Sequence, residues 1–92
     1  MLSLHPDAVK HIESRQRSIF LELPIVIQGD ITFRECPSVR WGEPRDIKNY
    51  ERRTIQGIVV FVPRELPTIP LEVVLTGFLR FKWLAVHGWR MV

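Results

Sequence analysis

The sequence predicts a mainly β, α+β domain of about six strands with one short N-terminal helix. Three observations carry that expectation. Apolar residues recur with period two over most of the chain. Proline and glycine cut these runs into strand-sized pieces. A single stretch near the start has helix-entry signals instead. The whole chain, residues 1–92, is expected to form a single domain, because a chain of this size has room for one core.

The helix falls in "HPDAVKHIESRQ". Pro6 suits the first helical position, where its missing N–H costs nothing. Asp7 places a negative charge in the first turn, which the helix dipole favours. His5 is the cap, and Leu4 and Val9 are placed to staple the entry. Ala8, Val9 and Ile12 form an apolar stripe, and Lys10, Glu13 and Arg15 face water. The helix should end near Gln16, and Leu2 to Leu4 should lead into it as an extended piece.

Period two then takes over. In "SIFLELPIVI", Ile19, Leu21 and Leu23 share a face. Pro24 marks an edge, a bulge or the strand's end. "IVIQGDITF" reads as a hairpin with Gly29 at the first position of a type II′ turn. "PSVRWGEP" is a short strand with Val39 and Trp41 on one side, and Arg45 to Arg53 is a polar connection. "TIQGIVVFVP" is a buried strand stopped by Pro63, and "RELPTIP" is a loop. In "LEVVLTGFLRFKWLAVHGW", Leu71, Val73 and Leu75 alternate, and Gly77 permits a turn or kink. Leu79, Phe81, Trp83 and Ala85 then alternate against Phe78, Arg80, Lys82 and Leu84. This predicts a long half-buried strand with a basic outer face.

Composition narrows the classes. The chain has a formal charge of +3, 46% hydrophobic residues and one cysteine. A single cysteine excludes an intrachain disulfide, so a reducing cytoplasmic setting is expected. No stretch approaches the ~18 apolar residues of a membrane span. The N-terminus has no signal-peptide pattern, and no membrane partner is expected. Phosphate-cradling glycine loops, nucleophile elbows and zinc-hydrolase histidine pairs are absent from the sequence, so no enzymatic activity is expected.

Three groups remain as candidates for chemistry. Cys36 is either a small loop residue or a metal ligand. Clusters and structural zinc want about four ligands, so one thiol per chain suffices only if two chains share a site. Arg34 and Arg40 would lower its pKa, and Glu35 works against them. His87, at the end of the last strand, is either a surface histidine or a second ligand. Arg80, Lys82, Trp83, Trp89 and Arg90 in "GFLRFKWLAVHGWR" read in two ways. They are core aromatics with solvated charge, or a stacking platform for single-stranded nucleic acid or a protein partner.

"LSLHPDAVKHIE", "SIFLELPI", "GIVVFVPREL" and "LEVVLTGFLRFKWLAVHGW", in that order, resemble the HesB-like fold of A-type iron–sulfur carrier proteins. "PSVRWGEP" followed by "QGIVVFVPREL" looks closer to a divergent HesB-related branch with an adjacent Cys-Cys or a selenocysteine in that pair. The resemblance implies a non-enzymatic protein of iron–sulfur cluster assembly. It implies a protein partner in that process; exposed edge strands and tryptophans make a homo-oligomer expected, and nucleic acid, through the basic aromatic strand, is a lesser alternative. Carriers of this type have one cysteine after the second strand and a Cys-Gly-Cys near the C-terminus, where this chain reads "VHGWRMV". The adjacent pair of the divergent branch would fall near Gln28 to Asp30. An iron–sulfur cluster or iron is therefore expected only with ligands shared between chains, Cys36 first and His87 second.

Overall fold

The computed structural model describes residues 2–28, 31–34 and 36–89. The short strand β1 (Leu2–Leu4) leads into helix α1 (Pro6–Arg15). The His5 side chain caps the helix, its Nδ1 accepting a hydrogen bond from the Asp7 N–H at 3.1 Å. The helix ends where Gln16 turns left-handed at φ 52°, its N–H bonding the Ile12 and Glu13 carbonyls. Ala8 and Ile12 are fully buried, and the helix packs against strands of both sheets. Cap, first-turn charge and apolar stripe all stand where the sequence puts them.

Seven strands form two sheets. The first has the order β1-β8-β9, with β8 at Leu71–Phe78 and β9 at Phe81–His87. β1 runs parallel to β8, and β9 returns antiparallel. The second has the order β5-β2-β7-β6, built from β2 (Ile19–Glu22), β5 (Ser38–Trp41), β6 (Tyr50–Ile55) and β7 (Ile58–Pro63). A separate hairpin, β3 (Ile25–Gln28) with β4 (Ile31–Arg34), extends β2 and β5 outward. Pro24, which has no N–H to donate, ends β2 and separates it from β3. The expected hairpin is therefore present, and its turn residues Gly29 and Asp30 lie outside the described residues.

The core lies where the inner faces of both sheets meet the helix. Leu2, Leu4, Ile19, Leu21, Val60, Val73, Leu84 and Val86 belong to it. β7 sits between β2 and β6, which explains its continuous apolar run: a central strand buries both faces. Phe61 is accordingly buried at 2% exposure, although it lies outside the main cluster.

Three sequence expectations need correction. Tyr50 to Arg53 is not loop: it belongs to β6, which pairs residue by residue with β7. Charged residues fit there because β6 is an edge strand and most of its side chains are exposed. "TIQGIVVFVP" is therefore two strands joined by a turn at Gln56 and Gly57. Both have positive φ, at 51° and 83°, the sign pattern of a type I′ hairpin.

The third correction concerns the last strand. The turn is at Leu79 and Arg80 rather than at Gly77, with Phe78 opposite Phe81 and Leu75 opposite Leu84. This register puts Leu84 and Val86 in the core, and Phe81 and Trp83 on the outside. The faces are the reverse of those expected, because both alternating sets contain large apolar residues and only pairing with β8 chooses between them. Gly77 has a packing role instead, since a Cβ there would overlap the Phe81 carbonyl oxygen.

Candidate functional site

Cys36 lies where the β2–β3 and β4–β5 pairings break. Leu23 and Pro24 on one strand stand opposite a three-residue stretch containing Cys36 and Pro37 on the other. This offset brings the thiol to the end of β9. Its Sγ is 3.6 Å from the Pro37 carbonyl and 3.7 Å from the Val86 carbonyl, the residue before His87. The two ligand candidates are thus neighbours in space, although 51 positions apart in sequence. Burial pushes the Cys36 thiol pKa up from its ordinary value of 9.0, so at neutral pH it is a protonated donor. The residue as a whole is exposed.

His87 is exposed and stands directly opposite Glu72 on β8. A directly opposed pair of this kind has Cβ atoms about 5 Å apart. Among the described residues no three of His, Cys, Asp or Glu come together as a metal-holding group.

The C-terminal basic and aromatic candidates separate. Trp89 is half-buried against the core, and its indole Nε1 is buried without a partner among the described residues. Arg90 lies outside the described residues. Arg80 is in the turn and Lys82 points to the inner side, opposite Gly77. Trp83 points outward with Phe81 and Phe78. The solvent-facing side of this hairpin is therefore aromatic, where the sequence pattern suggested basic.

Two contributions escaped the sequence reading. Leu79 is the most exposed large apolar residue on the hairpin at 83%, and Phe78, at 71%, is about as exposed as Phe81. The Gln56 side chain also ties the two sheets together. Its Oε1 accepts from the Leu4 N–H and its Nε2 donates to the Leu4 carbonyl, both at 2.9 Å. No local pattern signals this, because the partners are 52 positions apart.

A cleft of about 330 Å³ beside β6 and the 64–69 loop is lined by Glu51, Arg53, Arg64, Thr68 and apolar residues. Its carboxylate is engaged with Arg53 at 2.9 Å, and its lining has no His, Cys or Ser. No helix among the described residues is long and apolar enough to cross a membrane.

Fold and candidate site together define a small, mostly β protein with one thiol at a strand junction. The chain belongs to the CC/Se motif containing family, which matches residues 1–89. With one cysteine it carries no adjacent cysteine pair. Neither curated proteins nor solved structures yield a match.

Proposed function

We propose that this chain is a non-enzymatic, HesB-like relative of iron–sulfur carrier and assembly proteins whose standard cysteine ligands have been replaced. It holds iron or a cluster only where two copies bring their Cys36 thiols together, with His87 the adjacent donor. The observation that carries the reading is the corner where the Cys36 thiol reaches the Val86 carbonyl beside His87. The family membership over residues 1–89 supports it, as does the order of strands and helix.

Chemistry sets a condition on loading. Thiolates bind iron and protonated thiols do not, so binding must release the Cys36 proton. The raised pKa makes this a loading step favoured by higher pH.

The test is anaerobic reconstitution with ferrous iron and sulfide, followed by size-exclusion chromatography. A visible chromophore is expected in a two-chain species, absent from Cys36→Ala and weakened in His87→Ala. A colourless wild-type protein sinks the carrier-type reading. So does a chromophore that survives loss of the thiol.

A further inference from the structure

β1 covers β8 only as far as Val73. Beyond it, β8 and β9 continue as a two-stranded ribbon to the turn at Leu79 and Arg80. The five steps from Val73 to Phe78 carry the tip roughly 16 Å past the last β1 pair, at strand rise. Phe78, Leu79 and Phe81 crowd that tip at 71%, 83% and 73% exposure. Trp83 lies on the same outer face as Phe81, about 7 Å further back, and is half exposed.

A second, independent feature is the backbone of Leu79. It has φ 58°, and Arg80 is not among the positive-φ residues. This is the sign pattern of a type II′ turn, whose first position favours glycine. A bulky residue avoids this conformation. Folding alone would be served better by glycine, which exposes no apolar side chain. Charge is the third feature. No Asp or Glu follows Glu72 in the chain, whereas Arg80 and Lys82 lie on the ribbon.

We propose that the β8–β9 hairpin docks on an anionic lipid bilayer. Phe78, Leu79 and Phe81 enter the headgroup–acyl boundary, Trp83 sits at the interface, and Arg80 and Lys82 meet lipid phosphates and carboxylates. An interfacial element buries its apolar side about 5–10 Å deep, which matches the spacing from tip to Trp83. Tryptophan favours this depth, and long basic side chains reach back to the headgroups. The absence of a spanning segment is no obstacle, because peripheral insertion needs only a few apolar residues. A second copy fits the tip less well, since it brings the same cationic hairpin. Single-stranded nucleic acid also fits less well. Leu79 has no ring to stack, and Lys82 points away from the aromatic face.

The inference is independent of metal binding. It is tested by co-sedimenting the full chain with phosphatidylcholine vesicles, with and without phosphatidylserine, at low and moderate salt. Binding is expected only to the phosphatidylserine vesicles, weakening as salt rises. A blue shift of tryptophan fluorescence should accompany it and disappear in Trp83→Phe. Leu79→Gly should lose about tenfold in vesicle affinity while raising the urea midpoint, a pairing that a purely structural residue would not give. Arg80→Gln and Lys82→Gln should each lose about fivefold, the factor one such charge is worth near an anionic surface. Vesicle binding that is absent, or unchanged in Leu79→Gly, overturns the proposal. Leu79-dependent binding to single-stranded RNA or self-association, without vesicle binding, overturns it as well.

Discussion

Gln56 offers the sharpest test of how the two sheets are held together. It turns the β6–β7 hairpin at φ 51° and satisfies both backbone groups of Leu4, whose side chain is 3% exposed. Leu4 belongs to β1, an edge strand, so the Gln56 amide takes the place of a missing neighbouring strand. Two such bonds at about 1 kcal/mol each make Gln56→Ala about 2 kcal/mol less stable. Water reaches this exposed turn and prevents a larger loss. Gln56→Gly also loses both bonds but relieves the left-handed backbone, recovering about 1 kcal/mol. Gln56→Glu keeps the length and supplies no donor for the Leu4 carbonyl at neutral pH, so it should fall at or below the alanine variant.

Urea unfolding measures all three variants, and the comparison is valid if m stays constant. The alanine variant should also melt roughly 10 °C lower, given the small size of the domain. An alanine variant with the wild-type midpoint would refute the bridge. A glycine variant less stable than alanine would refute the backbone part of the reasoning.

Two further outcomes follow from the strand junctions. Iodoacetamide should modify Cys36 more slowly than an unfolded thiol at pH 8, with the rate climbing as pH passes the ordinary thiol value of 9.0; equal rates would contradict the raised pKa. The sign for stability agrees: with the folded pKa raised, the Cys36 contribution is present below the ordinary value and lost as pH rises through the folded one. Gly88→Ala should cost about 3 kcal/mol by urea titration, because Gly88 has φ 98° and a Cβ there would lie 2.5 Å from the Pro70 carbonyl oxygen. A neutral effect would mean that the segment leading to Trp89 is free to move.

The candidate site was legible only in pieces. Cys36 and His87 were recognisable as donors from residue type. Their proximity was not, because it depends on the offset at Pro24 and Pro37 that turns the thiol toward β9. The aromatic hairpin is visible as "GFLRFKWLAVHGW", yet the pattern alone puts its faces the wrong way round. Alternation reports two faces without saying which is inward when Phe, Leu and Trp occupy both. Trp89 looked like part of the same surface, and the left-handed Gly88 turns it onto the core instead.

The sequence by itself determined the mainly β class, the N-terminal α-helix with its His5 cap and Gln16 end, and the interruption at Pro24. These follow from local sterics, hydrogen bonding and periodicity, which neighbouring residues settle among themselves. The tertiary structure alone decided three things: the split of "TIQGIVVFVP" into two strands, the outward turn of Phe81 and Trp83, and the meeting of Cys36 with the end of β9. Each depends on cross-strand register. Register is chosen by which pairing buries the most apolar surface across distant segments, and no short stretch of sequence contains that comparison.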